Sequence, residues 1–585
     1  MPHSSDFGSS KEGELDESKP GSTSNGENFS ADGIQEKHDD IASSPTDVTQ
    51  PEYVTGIRLV LIMFTIFVST ILVSLEIGII ATAIPGITND FRRLDEVGWY
   101  GSATFILAAA ASPLWGKLYK YMQVKWTFIS AVGIFLVGSI VAAAAPNSVS
   151  VIIGRALQGW GASGVLGGTL IVINYVAPPK NHPLLIGTWM AVFMISNILG
   201  PVIGGAFTSG VSWRWCFWIN LPIGGPIIVL LLLFLRIPKH IKPAPATWTE
   251  IIFALDIPGF CLLLVSLVCL TLALQWGGQT KAWSHGSVIA TLVLWIVLTI
   301  GFFVTEWLQG PRAMAPFSIL KQRTTWSNVI FCLISYAALY QVMFYLPIYF
   351  QSIHGQSAVT SGVNTLPFLA FFALGAVVSG AAIGKTRYTQ PYELLGALIM
   401  TAGMALVYIL DVDSSKAMYI GAEVLFGFGI GISNQIPMTA VQGFSKPEDV
   451  PSATGIMVMC QTLSGAYFVV IAQSLFANRM LQALVGSASN LDAALVLGTG
   501  ASELQHVFSG EDLTTVIAAY MVGIKDVFAF ALASASLSVL LTLLIPFKKL
   551  PDRGGKPVAE AKETDVADGE KTDVGEKEVA NGVAV

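Results

Sequence analysis

The stretch Ser196–Phe207, SNILGPVIGGAF, sets one proline and three glycines inside an otherwise apolar run. In a water-exposed helix the proline costs about 3 kcal/mol and each glycine about 1 kcal/mol relative to alanine. A bilayer changes that balance. Helices gain little from hydrophobicity when they meet in lipid, so small residues that let backbones approach become the main packing device. Neighbouring helices can also satisfy the carbonyl that a proline frees. Ser196, Gly200 and Gly204 recur at every fourth position and therefore line one face of a helix.

Composition identifies the solvent. Of 585 residues, 53% are hydrophobic and 12% are charged, and the mean hydropathy is +0.63. A soluble domain carries roughly 25% charged residues, so this chain lacks the means to coat a water-facing surface. Its charge is concentrated at the ends: eleven acidic and three basic residues precede Pro51, and nine acidic and five basic residues follow Leu550. The intervening body carries a net charge of +5. Both tails are rich in Ser, Gly, Glu and Asp, and read as disordered, solvated cytoplasmic segments open to phosphorylation. Neither has the basic start and short apolar core of a signal peptide. The five cysteines lie in apolar segments without CxxC spacing and read as packing residues.

Fourteen runs are long and apolar enough to span a bilayer, the first being Ile57–Ala83, the fifth Leu184–Phe207 and the last Asp526–Phe547. Barrel strands would be shorter and would alternate, so an all-α integral membrane bundle is expected. Lys and Arg concentrate in the loops after even-numbered spans, among them Lys117, Lys120, Lys125, Lys180, Arg236, Lys239, Arg312, Lys321, Lys385 and Arg387. The alternate loops offer Arg92, Arg93, Arg214, Lys281, Lys416, Arg479 and Lys525. Both termini are therefore expected in the cytoplasm, with the polar segment 478–525 outside.

The motif GPVIGG, Gly200–Gly205, resembles the antiporter signature on the fifth span of the drug:proton antiporters of the major facilitator superfamily. LEIGIIATAIP, Leu75–Pro85, resembles the first-span signature of their fourteen-span branch, and GRALQGWGASG, Gly154–Gly164, the fourth-span motif. WRWCFWINLPIGG, Trp213–Gly225, and LDIPG, Leu255–Gly259, are similar to segments typical of that branch. The resemblance covers Ile57 to about Phe547. It implies a major facilitator fold: two six-helix bundles at 56–245 and 311–549, two extra helices at 246–310, and disordered tails at 1–55 and 550–585. It also implies an antiporter motif at Gly200, Pro201, Gly204 and Gly205, and export driven by proton entry. The loop after the second span departs from the family pattern GxLADRxGRK. It reads GKLYKYMQVKW, with Lys120 where the aspartate is expected, and is similar to the form in fungal toxin-efflux members. Gly116, Lys117, Lys120 and Lys125 are the candidate gating residues of that loop. In the first-span motif Glu76 and Gly78 replace the usual Asp and Thr.

A charge at the bilayer centre costs at least about 2.5–3.5 kcal/mol on insertion scales, so Glu76 and Arg155 are candidates for function. The superfamily fold implies that both face the central cavity of the N-terminal half, where Arg155 could tune a proton held by Glu76. A structural ion pair, or an Arg155 that snorkels to the surface, is the alternative. Gln158 and Gly159 share the face of Arg155. Glu423, Gly427, Gly431 and Asn434 share a face of the twelfth span, which makes Glu423 a second proton candidate or a structural group. Asp256, Glu306 and Asp526 sit at span ends, where solvated or capping roles are expected. Gln158, Tyr336, Tyr340, Gln341, Asn434 and Gln461 are the candidate substrate-cavity residues, since such pockets are mostly apolar with a few placed polar groups. The tyrosines read equally as lipid-facing filler.

No nucleotide-binding loop or metal-ligand spacing occurs, so neither catalysis nor a cofactor is implied. The expected partners are a small-molecule substrate, protons and the lipid bilayer, with no nucleic acid, and the expected state is a monomer. The plasma membrane is the expected location, with a vacuolar or vesicle membrane as alternative. Two other functions remain open at this point: an uptake symporter, for example for iron–siderophore, and a non-transporting receptor or scaffold.

Overall fold

In hydrocarbon every backbone N–H and C=O must be satisfied within the protein, and a helix does this within a single segment. The computed structural model describes residues 54, 56–91, 96–238, 241–487, 495–496, 499–501 and 503–551. The readings of the acidic tails, Arg92, Arg93 and Lys239 lie outside the described residues. Among the described residues the regular structure is helical.

A first set comprises α1 (Ile57–Phe91), α2 (Val97–Tyr121), α3 (Val124–Ala143), α4 (Ser148–Val176), α5 (His182–Gly210) and α6 (Asn220–Phe234). Within it α1 packs on α5, α4 on α2 and α3, and α6 on α1 and α3. A short hairpin follows: α7 (Trp248–Ala254), α8 (Ile257–Trp276) and α9 (Gly286–Gln309), with α8 laid along α9. A second set comprises α10 (Arg323–Ser352), α11 (Leu366–Thr386), α12 (Gln390–Ile409), α13 (Lys416–Ser433), α14 (Ile436–Phe444), α15 (Val450–Ser464), α16 (Val470–Gly486) and α17 (Gly510–Thr542). Here α13 packs on α11 and α12, and α17 on α10, α12 and α16.

Among the described residues, thirteen segments are long and apolar enough to cross a membrane. At 25 residues α2 is long enough as well, but it is interrupted by Gly, Ser and Lys and is not among them. The sequence count of fourteen spans therefore rests on α2 crossing too.

Several boundaries differ from the sequence reading. The last helix begins at Gly510, well before Asp526, and α16 continues to Gly486, so much of the segment read as a loop over 478–525 is helical. Apolar counting stops at the charges, whereas the backbone continues because those charges are paired at the surface. Arg479 bonds Asp526, and Lys525 bonds Asp411 at 2.6 Å. The twelfth span breaks at Asn434 and Gln435, between α13 and α14. The thirteenth contains one π-helical turn, Gly465–Val469.

Asp256 and Glu306 are not solvated but buried. Asp256 adopts a left-handed backbone conformation (φ 49°) at the elbow between α7 and α8, and its carboxylate accepts from Gly259 N at 2.8 Å, capping α8. The same carboxylate accepts from Gln309 and from Met314 N, and Glu306 accepts from Ala315 N at 2.9 Å. This accounts for the LDIPG motif. A side chain at Gly259 would meet the Asp256 carboxylate at 2.6 Å. An open groove of about 660 Å³ beside this elbow is lined by Ile252, Phe253, Ile257, Leu308 and Arg312.

The two sets meet through α2 against α15 and α5 against α11. One side of the bundle carries both ends of the described chain: Val54 N donates to Val176 O, and Leu550 N to Arg387 O. On that side the sets are in backbone contact. A Cβ on Gly116 would lie 2.7 Å from Pro451 O, one on Gly187 2.3 Å from Ala376 O, and one on Gly380 2.3 Å from Pro183 O.

Candidate functional site

The opening stretch resolves into a seam between α1 and α5. Pro201 has no N–H to give to Asn197 O, the carbonyl one turn earlier. Gly78 of α1 lies against that carbonyl so closely that a Cβ would be 2.0 Å away. A Cβ on Gly200 would meet Gly78 at 2.6 Å, and one on Gly204 would meet the Thr82 hydroxyl at 2.3 Å. Gly205 has open space beside it. The glycine that replaces Thr at position 78 is thus what admits the freed carbonyl, through a close Cα approach.

One helix turn from this seam, Glu76 meets Arg155. The Nη1 of Arg155 donates to Glu76 Oε1 at 2.6 Å, and both residues are about 1% exposed. Asn220 Nδ2 donates to Glu76 Oε2 at 2.6 Å and to Ser139 Oγ at 3.1 Å. Arg155 also donates to Gln158 Oε1 at 3.0 Å and, from Nε, to Tyr100 O at 2.9 Å. Gln158 Nε2 closes the network on Ser139 at 2.9 Å. Five helices, α1, α2, α3, α4 and α6, are tied together by one buried pair. Removing one partner of such a pair costs about 3–5 kcal/mol. The side chain of Gln158 therefore belongs to this network and not to the tyrosine cluster with which the sequence reading grouped it. Asn220 and Ser139 escaped that reading, although Asn220 lies within the quoted WINLP segment, where an amide between apolar residues is the available signal.

The segment read as a loop, Gly116–Trp126, is instead the end of α2 and the first turn of α3, with Met122 and Gln123 alone between them, and it carries contacts across the bundle. Lys120 pairs with Asp449 at 2.9 Å, bridging the end of α2 to the turn before α15. Lys117 is 4% exposed and donates to Arg312 O at 3.0 Å, which ties α2 to the hairpin's exit. Lys125 donates instead to Leu232 O at 2.6 Å, within its own half.

A second cluster sits between the sets. Tyr336 and Tyr340 of α10 are buried with rings 5.9 Å apart, and Phe105 of α2 meets Tyr340 edge to face at 5.4 Å. Gln435, at the break between α13 and α14, donates to the Tyr336 hydroxyl at 3.1 Å and lies 3.1 Å from the sulfur of Met190 on α5. Asn434 lies beside Tyr336, and a Cβ on Gly465, at the π turn, would touch Phe105 at 2.7 Å. Two helix irregularities thus converge on the tyrosine pair, and π turns recur at functional sites. Gln341 and Asn434 are buried with both side-chain polar atoms unpartnered, as are Gln435 Oε1 and Gln461 Nε2. Buried polar groups are ordinarily bonded, so this concentration of free amide donors and acceptors can bind a polar solute. Sequence reasoning reached Tyr336, Tyr340, Gln341, Asn434 and Gln461; it missed Gln435, Phe105 and Met190. Glu423 lies apart from this cluster, buried near the second turn of α13 with neither carboxylate oxygen bonded.

The family description Major Facilitator Superfamily matches residues 66–469. A protein of Aspergillus terreus named dehydrocurvularin exporter is 80% identical over 580 residues, covering 99% of each chain. Its namesake in Alternaria cinerariae is 80% identical over 97% of each chain. The efflux pump notK of an Aspergillus species is 62% identical over 90% of this chain and 92% of its own. Among solved structures, the proton:xylose symporter XylE superposes with a TM-score of 0.56 at 13% identity, covering 84% of this chain and 98% of its own, a likeness of fold alone. The chain belongs to the Major Facilitator Superfamily and is a multi-pass membrane transporter of small molecules, not an enzyme.

Proposed function

We propose that this chain exports a small amphipathic metabolite of the dehydrocurvularin kind in exchange for protons. The observation that carries the reading is near-full-length identity of 80% to two proteins named as exporters of that compound. The reading takes fourteen spans, halves at 56–245 and 311–549 that rock about a site between them, and the hairpin at 246–310 as an addition. Both termini are cytoplasmic, on the positive-inside argument, in the plasma membrane, and the working unit is a monomer.

The Tyr336–Gln435 cluster supports a substrate site, because it draws side chains from both halves and offers unpaired amides among aromatic rings. Glu76 supports proton coupling. A proton arriving on its carboxylate cancels the charge that holds Arg155 and Asn220, and so loosens the link between α1, α4 and α6. Lys120 and Asp449 act as the cytoplasmic latch in place of the family's aspartate, and Lys117 extends that latch to the hairpin. Gly200, Pro201 and Gly204 keep α1 and α5 moving as one body.

Inside-out vesicles with an acidic lumen should take up labelled dehydrocurvularin, and Glu76→Gln should abolish that uptake at normal protein level. Uptake indifferent to collapse of the gradient overturns proton coupling. Flux in the opposite direction overturns export.

A further inference from the structure

Five carboxyl side chains are buried among the described residues: Glu76, Asp256, Glu306, Glu393 and Glu423. Three of them are saturated with donors, as described above. Glu423 has the backbone of Phe368, at the start of α11, as its electrostatic neighbour. Glu393 shares with Glu423 the lack of a bonded partner but sits at the other end of the bundle, on the side of the chain ends. It is fully buried in the first turn of α12, and neither carboxylate oxygen has a hydrogen-bond or ion-pair partner. Its neighbour one turn on, Ala397, packs with Phe331 and Ile545 in an apolar cluster.

An ionised carboxylate without a partner in such surroundings costs several kcal/mol, so the group is carried with its proton in this conformation. Its place in the bundle supplies a way to lose that proton. α12 begins just after Arg387, on the side that bears both chain ends, where the halves are closed by the glycine contacts and by Lys120 with Asp449. α12 packs on α13 and α17 within its own half, and Glu393 lies in its first turn, so water that reaches this end of α12 when that side opens would remove the penalty on the ionised form.

The neighbouring helices leave the site to Glu393. From α10, Cys332 is the ionisable side chain within its electrostatic reach. On α13 the titratable groups Lys416, Tyr419 and Glu423 lie in the first two turns, at the opposite end of the antiparallel pair; on α17, Glu511, Asp512, Tyr520, Lys525 and Asp526 all lie in the first half of the helix or at its middle, away from Thr542, which accepts from Gln390 at the start of α12. Two of the cations near the chain-end side are engaged elsewhere, Arg323 donating to Leu544 O and Arg387 to Leu550 O; Lys385, Lys548 and Lys549 lie beyond the start of α12, on its outer flank. Cys332 also belongs to a row on α10, Asn328, Cys332, Tyr336 and Tyr340, spaced by four residues and therefore stacked on one face. That row leads from the level of Glu393 to the tyrosine pair, and Gln461 reaches it at Cys332.

We propose that Glu393 is a proton-binding site of the C-terminal half, occupied while the chain-end side is closed and emptied when that side opens to water, and joined to the tyrosine–amide cluster through the α10 row. The proposal rests on the proton-coupled export reading. It gives the C-terminal half a proton carrier of its own, beside the Glu76–Arg155 pair of the N-terminal half.

The test uses the full-length chain in inside-out vesicles, with labelled dehydrocurvularin as probe, and compares gradient-driven uptake with counterflow in the absence of a gradient. Glu393→Gln keeps the shape and the neutrality of the protonated acid, so it should leave counterflow within about twofold while gradient-driven uptake falls at least tenfold. Gradient-driven uptake within twofold of wild type would overturn the assignment, because a merely structural protonated acid is well replaced by the amide. A second measurement needs no variant: a hydrophobic carbodiimide reacts with protonated carboxyls in apolar sites, and peptide mass spectrometry should find Glu393 modified at neutral pH. An unmodified Glu393 overturns the proposal. Wild-type vesicles that show no gradient-driven uptake would instead remove the coupling reading, and the carbodiimide result would still decide whether Glu393 carries a proton.

Discussion

The α-carbon of Gly78 on α1 lies against the backbone carbonyl of Asn197 on α5, the carbonyl left without its helical donor by Pro201. A methyl group there would sit 2.0 Å from the oxygen, and the obstacle is backbone, so the helices themselves would have to part. Gly78→Ala should therefore lower stability by about 1–3 kcal/mol, as overpacking does. Gly205→Ala, in the same motif but beside open space, should be neutral or slightly stabilising. Thermal unfolding of the two purified variants separates the cases, and equal effects would refute the seam.

Removing both charges of the Glu76–Arg155 pair should be less damaging than removing one. Arg155→Met leaves a buried carboxylate held by Asn220 alone and should cost about 3–5 kcal/mol. The double variant with Glu76→Gln buries no net charge and should recover a substantial part of that loss. A double-mutant cycle on thermal stability reads the coupling directly.

Lys120 and Asp449 are partly exposed, at 23% and 29%, so their pair contributes little to stability, about 0–1 kcal/mol. Its effect should appear in transport. Lys120→Glu places like charges across the closed side and should slow gradient-driven uptake several-fold with unfolding unchanged. Restoring opposite signs with Asp449→Lys in the same chain should return most of the rate, and failure of that rescue would remove the latch.

Tyr336→Phe deletes the hydroxyl to which Gln435 donates and leaves the ring in place. If substrate meets this cluster, KM for dehydrocurvularin should rise about fivefold, equivalent to about 1 kcal/mol, with kcat little changed. Concentration-dependent uptake gives both constants. A variant indistinguishable from wild type would place the substrate elsewhere.

Asp256 holds Gly259, Gln309 and Met314 with one carboxylate, in a left-handed backbone that Asn also tolerates. Asp256→Ala should destabilise by about 2 kcal/mol or more, through the lost cap and the orphaned donors. Asp256→Asn should retain part of that. Limited proteolysis within 310–316 reads the loosening of the hairpin's exit.

Much was legible before any coordinate, because hydrocarbon permits few solutions. Runs of about twenty apolar residues, a 12% charge content and lysines on alternate loops dictate a helical membrane bundle, and the quoted motifs identify its family. Glu76 and Arg155 stood out for the same reason: a charge within lipid is too costly to be incidental. The candidates at Tyr336 and Tyr340 followed from residue type and spacing.

Tertiary structure decided everything that depends on which helices touch. Gly78 explains Pro201 only because α1 lies on α5, and Asn220 completes Glu76 only because α6 lies on α1 and α3. Gln158 turned toward Ser139, while Gln435 reached Tyr336 because the helix breaks beside it. Glu393 drew no notice in the sequence; an acid in the first turn of a helix is ordinarily served by solvent or free N–H groups, and only the packing around α12 reveals that this one has neither. Sequence carries the cost of burying a group, but the partners that offset that cost come from residues far away along the chain.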